Sequence, residues 1–187
     1  MDEVQVFFRQ SGFSEEIAVA LSEKFIEKSF DKGDYFVLEG KTNTHLAYIA
    51  QGIFQYFYNK GGEEITSYIA MEGGFLASLA SFMSQTPASE NIRALTPAKL
   101  WMISKKNLDQ LITQSEEFKS FYIQILEQQI VCIDKSRLDF IMLNAEERYE
   151  KMLCENVTLL QQVPLQLLAS MLGVTPRHLS RIRNQIR

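Results

Sequence analysis

The stretch LASMLGVTPRHLSRIR, residues 168–183, contains two short helical patterns separated by a single glycine. Leu168 and Leu172 share one face of the first pattern, whose helix we expect over about 165–172. Gly173 follows, and glycine most readily adopts the left-handed conformation that ends a helix. Next comes the Thr-Pro pair at 175–176, an N-cap residue followed by proline at the first helical position. The spacing predicts two helices joined by a sharp turn.

The second helix is predicted to bury one face and to expose the other. Leu179, Ile182 and Ile186 share the inner face, and Val174 is placed to pack against Leu179 at the start of the helix. Together with the apolar face of the first helix they would form a small core. This arrangement is typical of a helix-turn-helix, whose second helix enters the major groove of DNA.

The outer face of the second helix carries hydrogen-bond donors, although the chain as a whole is acidic. The chain has 19 Lys and Arg against 23 Asp and Glu, a formal charge of −4, and its last acidic residue is Glu155. Arg177 and Arg181, four residues apart, can each present a guanidinium fork to O6 and N7 of a guanine. We therefore predict a DNA-binding site. Its candidate residues are Thr175, Arg177, His178, Ser180, Arg181 and Arg183.

The members of this set have different expected roles. Thr175 and the helix N-terminus would face a phosphate, because the free N–H groups there attract anions. Arg183 lies on the flank, where it is better placed for the DNA backbone than for bases. His178 would contact either a base, or phosphate and solvent. A solvated charged face is the competing interpretation of the whole cluster, and the absence of carboxylates after Glu155 argues against it.

Residues 30–103 have a period of two instead. Short segments rich in aromatic and β-branched residues, such as HLAYIAQG and FQYFYNKGG, are separated by glycines and charges. Strands at this spacing favour a sandwich or barrel of the jelly-roll kind. Before them, residues 14–30 have helical spacing that continues through Phe25 and Ile26, with Ser14 as a candidate N-cap. After them, a short helix is expected from Ser104.

One long helix is predicted over residues 115–143. Its apolar residues cover an arc of roughly 200°, about twice the arc that a helix lying on a single core needs. The excess predicts two contacts, one with the β-domain of the same chain and one with a second subunit. A helix deeply buried in a monomer is the alternative. The fold class is therefore α+β: an N-terminal jelly-roll β-domain, a long dimerisation helix and a C-terminal helix-turn-helix.

Cysteine and histidine usage excludes several classes of function. Cys132 and Cys154 are too few for a disulfide scaffold or an iron–sulfur cluster, and we expect reduced free thiols. His45 and His178 cannot make a multi-histidine metal site, and His45 alone is a weak candidate for a haem ligand. The sequence contains no Gly-x-Ser-x-Gly elbow, no P-loop and no GxGxxG motif, so we expect neither an enzyme nor a metal.

The ends of the sequence carry no sign of export. The acidic start MDEVQ is unlike a signal peptide, and no apolar run approaches the roughly 20 residues needed to cross a membrane. We expect a cytoplasmic protein without a membrane partner.

The order of a glycine-punctuated β-roll, a long helix and a terminal helix-turn-helix resembles the CRP/FNR family of bacterial transcription regulators. The resemblance is most specific in GDYFVLEGKTNTHLAYIAQGIFQYFY and VPLQLLASMLGVTPRHLSRIR, and the second stretch is similar to the compact form common in Bacteroidetes. It implies a homodimer joined by the long helix that reads an inverted repeat, with RNA polymerase as a candidate partner. The implied domains are a sensor roll at 1–114, a dimerisation helix at 115–143 and a DNA-binding domain at 144–187.

The same resemblance assigns residues to DNA contact. Thr175, Arg177 and Arg181 fall on the phosphate- and base-contacting positions of the family. Pro176 replaces a position that is often a base-reading arginine, which implies a different target sequence.

The sensor end departs from the nucleotide-binding members of that family. Those members carry a Gly-Glu-Leu turn whose Glu holds the ribose, and an Arg-Ser/Thr-Ala segment whose Arg pairs with the cyclic phosphate. Here Phe75 and Leu76 stand at the Glu and Leu positions, while Ala88 and Ser89 stand at the Arg and Ser positions, followed by Glu90. A buried phosphate without its cation is strongly disfavoured. We therefore expect a degenerate ligand pocket and no response to cAMP.

Two points stay open at this level. The roll could hold an unidentified small effector or no ligand at all. The competing function is a ligand-binding or protein-interaction module without DNA binding, whose helical tail serves only for dimerisation.

Overall fold

The computed structural model describes residues 3–186, which begin with two short helices. These are α1, Glu3–Gln10, and α2, Glu15–Ser22, and the Ser14 side chain caps α2 by accepting the N–H of Ile17 at 3.3 Å. The helical pattern predicted through residues 25 and 26 is wrong. The chain leaves α2 after Ser22 and enters a strand, β1, Ile26–Phe30. Four of its five residues are exposed, so no alternation of apolar residues reveals it.

The roll consists of two four-stranded antiparallel sheets. After β1 the strands are β2, Tyr35–Val37; β3, His45–Gln51; β4, Ile53–Lys60; β5, Glu63–Met71; β6, Phe75–Leu76; β7, Asn91–Ala94; and β8, Ala98–Ser104. One sheet has the order β1-β8-β3-β6 and the other β2-β7-β4-β5. A short helix, α3, Leu79–Ser84, connects β6 and β7.

The space between the sheets is filled by apolar side chains that include Ile49, Phe54, Ile92 and Leu100, all fully buried. Gly52 allows β3 to pass directly into β4. It has a φ of 107°, and a Cβ atom there would lie 2.5 Å from the Cβ of Ala98. A side chain at this position would therefore collide with Ala98 at the start of β8.

Two capped helices follow the roll. Ser104 and Ser115 are the N-caps of α4, Lys105–Gln114, and α5, Glu116–Met142, so the predicted long helix is confirmed to within a residue at each end. Phe118, in the first turn of α5, is buried in an aromatic cluster with Phe8 from α1. No helix of residues 3–186 is long and apolar enough to cross a membrane.

The C-terminal unit contains four helices. They are α6, Ala145–Glu155; α7, Val157–Gln162; α8, Leu165–Met171; and α9, Pro176–Gln185. This unit packs against the roll, because Ile53 and Ile69 belong to its apolar core. At the same surface the hydroxyl of Ser170 accepts the backbone N–H of Thr66 on the edge strand β5, at 2.9 Å. The two helices predicted at the C-terminal end are present at the expected positions.

Candidate nucleic-acid interface

The turn between α8 and α9 is built as the sequence predicts. Gly173 has a φ of 70°, and the N–H of Val174 reaches back to the carbonyl of Ala169 at 2.9 Å, which closes the end of α8. The Thr175 hydroxyl then accepts the N–H of His178 at 3.2 Å and caps α9. The direction of α9 is therefore set by local contacts on both sides of the turn.

The inner face of α9 is held by a compact apolar core. Leu179 and Ile182 are buried, and on α8 Leu168 and Ala169 are buried against them. Ile186 is half-buried at the end of the helix. Because Leu179 and Ile182 lie on one side of the ten-residue helix α9, its opposite side must face outward.

The α9 outer face is the set of sequence-predicted site residues, and the structure brings them together on one surface. Five of them are exposed and Arg183 is half-buried. The three arginines of this set form no ion pair with a carboxylate among residues 3–186. Ser180 donates its hydroxyl to the carbonyl of Pro176 at 3.0 Å, which leaves its oxygen available as an acceptor. The members of the α9 outer face are Thr175, Arg177, His178, Ser180, Arg181 and Arg183.

The charges along α9 are arranged for an anionic partner. The first turn contains no acidic residue, so nothing in the sequence neutralises the partial positive charge of the helix N-terminus. Arg177 and Arg181 follow at a spacing of four residues, and each guanidinium offers parallel N–H donors. A surface with these properties can bind phosphate near Thr175 and read acceptor pairs further along the helix.

A second surface lies on α5. Phe118 is its only fully buried residue, and Phe121, Tyr122 and Ile125 line a small cavity against the roll. The apolar side chains beyond them face outward, and Ile130 and Met142 are 65% and 74% exposed. The exposed apolar residues are Ile123, Ile130, Val131, Ile133, Leu138, Phe140, Ile141 and Met142. An apolar stripe of this length on one chain is typical of an interface with another protein.

The structure does not bring all four residues of the predicted ligand pocket together. Phe75 stacks on Phe7 and Tyr48, towards the N-terminal helices. Leu76 and Ala88 are buried in the core between the sheets, and Ser89 is exposed.

Tyr56, which the sequence analysis missed, occupies the region next to them. Its hydroxyl donates to the carbonyl of Ala77 at 3.2 Å and accepts the N–H of the same residue at 3.1 Å. Burial raises the pKa of this hydroxyl well above its ordinary value, so it stays protonated. Aromatic residues are frequent in this chain, and no local pattern distinguishes Tyr56 from the others.

The surroundings of Tyr56 do not fit a cyclic nucleotide. Tyr56 already accepts the backbone N–H of Ala77 beside α3. The nearby carboxylate of Glu90, which accepts a hydrogen bond from Tyr58 at 3.2 Å, adds a negative charge that would repel a phosphate. The nearest arginine in the sequence, Arg93, is committed elsewhere. It makes two hydrogen bonds with Glu64, at 2.6 and 2.9 Å, and stacks on Phe57 at 4.6 Å.

The side chains that could bind a metal ion do not lie together. Within the described residues no group of three His, Cys, Asp or Glu side chains is arranged for a metal ion. His45 lies 2.9 Å from the Thr44 hydroxyl, and partial burial together with Lys28 lowers its pKa. Cys132 and Cys154 are exposed free thiols.

The chain is similar to known proteins in sequence over the roll and in structure over most of its length. Residues 27–115 match the family model of the cyclic nucleotide-binding domain. No protein with a curated description matches the sequence. FixK2 from Bradyrhizobium japonicum superposes with a TM-score of 0.73 at 13% identity, covering 87% of this chain and 84% of that one.

Two further structures have similar scores. The c-di-GMP-responsive global regulator CLP of Xanthomonas campestris has a TM-score of 0.70 at 15% identity, covering 92% of this chain and 91% of that one. A Eubacterium rectale protein assigned to the CRP/FNR family of transcriptional regulators has a TM-score of 0.69 at 14% identity, covering 92% and 83%. At such identities the likeness concerns the fold. Residues 27–115 thus match the cyclic nucleotide-binding domain family, and the chain as a whole has the fold of structures that include CRP/FNR regulators.

Proposed function

We propose that this chain is a sequence-specific DNA-binding transcription regulator of the CRP/FNR type, in which α8 and α9 act as a helix-turn-helix. The observation that carries the proposal is the α9 outer face, where arginines without an ion-pair partner among residues 3–186 stand on the exposed side of a helix whose other side is buried. Exposed arginines add little to the stability of a fold, and without a carboxylate partner their donors remain available to an outside anion. The fold relatives named above support a regulator and not an enzyme.

The α9 outer face would read DNA from the major groove. Arg177 and Arg181 each place a fork on a guanine, where a bidentate pair discriminates against other bases by about 1–3 kcal/mol. Thr175 and the N-terminus of α9 bind a phosphate, and Arg183 on the flank binds the backbone. His178 and Ser180 contribute contacts between these anchors.

The regulator acts as a homodimer joined along α5. A single recognition helix gives limited affinity, and two copies related by a two-fold axis bind an inverted repeat with one helix in each half-site. The exposed apolar stripe of α5 supplies the interface. In this scheme residues 1–114 form the sensor, 115–143 the dimerisation helix and 144–187 the DNA-binding domain. Such a dimer works in the cytoplasm, where RNA polymerase is a candidate partner.

The sensor does not respond to cAMP. Phe75 and Ala88 lack the groups that would hold a ribose and a phosphate, and Tyr56 occupies the backbone of Ala77. The protein is regulated by an unidentified effector, or it acts without one. The alternative of an interaction module without DNA binding does not explain the α9 outer face, since dimerisation would not use it.

The test is a selection of random DNA fragments by the purified protein, with and without cAMP. We expect the same inverted repeat to be enriched in both reactions. Enrichment only with cAMP would contradict the proposal for the sensor. Failure to enrich any sequence in either reaction would contradict the proposed function and favour the interaction module.

A further inference from the structure

Arg148 joins three parts of the chain that lie far apart in sequence. It belongs to the second turn of α6, and one terminal nitrogen donates to the carbonyl of Leu143, between α5 and α6. The other terminal nitrogen donates to the carbonyl of Leu172 at 2.8 Å, at the end of α8. Its guanidinium carbon lies 4.8 Å from the centre of the Phe140 ring on α5.

Both carbonyls belong to helix ends, where the last carbonyl groups have no partner within the helix. Leu143 is the C-cap of α5 and Leu172 is the C-cap of α8. A positive charge is favourable at a helix C-terminus, and a guanidinium can serve two such ends at once because its donors form a rigid fork. A lysine at this position has one ammonium group and could not span both while also stacking on a ring.

Phe140 completes the contact with the turn. An added Cβ atom on Gly173 would lie 3.8 Å from its ring, so the turn and the guanidinium of Arg148 both lie close to this side chain of α5. The recognition helix starts three residues later, at Pro176. Arg148 and Phe140 therefore connect the turn that precedes α9 with the end of α5.

Arg148 is also partly unsatisfied. Its Nε is buried and has no hydrogen-bond partner among residues 3–186. A buried donor without a partner is costly, so the side chain keeps this position through its two carbonyls and the ring. The Thr66–Ser170 bond is a separate attachment of the C-terminal unit, to the roll and not to α5.

We propose that Arg148 is a positioning residue that fixes the direction of α9 relative to α5. This inference rests on the proposed function, because the direction of α9 matters when two copies must meet two half-sites. In a dimer joined along α5, a rotation of each DNA-binding unit about its hinge changes the separation of the recognition helices. Arg148 therefore determines which half-site spacing the dimer accepts.

The test uses inverted repeats whose spacer changes by one base pair at a time, each step moving a half-site by about 3.4 Å along the DNA axis. Wild-type protein, Arg148→Met and Arg148→Lys are compared on this series and on a single half-site. We expect wild type to prefer one spacer at least about tenfold over its neighbours. Both variants should lose most of this preference, while their affinity for the single half-site changes less than about twofold.

Lys151→Met is the matched control. Lys151 is a cation on the same helix, and its 2.6 Å ion pair with Asp139 also joins α6 to α5 without reaching the turn. We expect it to keep the wild-type spacer preference. Variants of Arg148 that keep that preference would overturn the proposal, and a Lys151→Met variant that loses it would show that the effect is not specific to Arg148.

A second measurement needs no DNA. Spin labels at Gln124→Cys on α5 and Gln185→Cys on α9, with Cys132 and Cys154 replaced by serine, report the distance between the helices in labelled chains diluted with unlabelled protein. We expect a narrow distance distribution that broadens with Arg148→Met and stays narrow with Lys151→Met. An unchanged width would overturn the proposal. Wild-type protein that binds none of the duplexes would contradict the proposed function instead, and the distance measurement would still decide the role of Arg148.

Discussion

Arg93 on the roll and the arginines of the α9 outer face stand in opposite environments. The chain itself satisfies Arg93, through Glu64, the side-chain oxygen of Gln55 at 2.9 Å and the ring of Phe57. The hydrogen bond with Glu64 raises the pKa of Arg93 further, and the group is part of the fold. The guanidinium groups of α9 have no such carboxylate partner in the described part of the chain. An arginine that the chain pairs stabilises the structure, whereas an exposed unpaired one is available to a ligand.

The same difference separates the two ends of the molecule. In the roll the interior is filled by the chain's own side chains, and Tyr56 uses the backbone groups beside α3. At the other end the donors of α9 point outward and α5 leaves an apolar stripe uncovered. The polar donors and apolar side chains that are left for a partner therefore lie on α5 and α9, whereas the roll uses its own groups internally.

The largest effect is expected from a charge on the α5 stripe. Ile130→Glu should convert the dimer to monomers, because a carboxylate would be buried in an apolar interface without a partner. Binding to an inverted repeat should then fall by about 10²–10⁴, since the two half-sites are no longer linked. Sedimentation and DNA titration measure the two effects.

Ile26→Glu is the control for this charge, because Ile26 is an exposed isoleucine on β1 of the roll. That variant should remain dimeric. A dimeric Ile130→Glu protein would exclude this part of α5 as the interface.

Paired and unpaired arginines should differ in their effect on stability. Arg93→Ala should lower the free energy of unfolding by about 1–2 kcal/mol. The change removes charge-assisted hydrogen bonds to Glu64 and the contact of the guanidinium with the Phe57 ring, and the Arg93 side chain is only 23% exposed. Arg177→Ala should change it by less than about 0.5 kcal/mol. Denaturant unfolding compares the two, and equal losses would mean that Arg177 has a role within the fold.

The smallest destabilisation expected from the loss of a buried contact concerns the hydroxyl of Tyr56. Tyr56→Phe should cost about 1–1.5 kcal/mol, since it leaves the backbone N–H and carbonyl of Ala77 without their partner. Tyr68→Phe is the matched control, because its ring packs edge-to-face with that of Tyr56, with the ring centres 5.6 Å apart, and only its hydroxyl is removed. Thermal melts of the two variants are compared. Equal stability would show that the hydroxyl of Tyr56 does not hold α3 in place.

Local signals made the C-terminal helices predictable. Gly173, Thr175 and Pro176 determine the turn through backbone conformation and capping, which depend on neighbouring residues only. The caps of α4 and α5 at Ser104 and Ser115 were visible for the same reason. The α9 outer face follows from the periodicity of one helix, so its residues could be named without the fold.

Long-range contacts could not be predicted in this way. Strand β1 is fixed by its pairing with β8, where Ile26 lies opposite Met102, and its own residues have no strand periodicity. The bond of Tyr56 to Ala77 spans 21 residues and that of Arg148 to Leu172 spans 24, so neither leaves a pattern in the sequence. The filled roll and the attachment of the turn to α5 therefore required the three-dimensional structure.

The central claim is that the arginines of α9 read DNA sequence, and one binding measurement tests it directly. Arg177→Ala with Arg181→Ala is compared with Lys32→Ala with Lys41→Ala, which removes the same charge from exposed positions on the roll. Each protein is titrated, at one salt concentration, with the selected inverted repeat and with a scrambled duplex. The α9 variant should lose about 2–6 kcal/mol on the selected repeat, at least about 30-fold, and prefer neither duplex, while the roll variant keeps its preference. An α9 variant that still prefers the selected repeat as strongly as wild type would contradict the account.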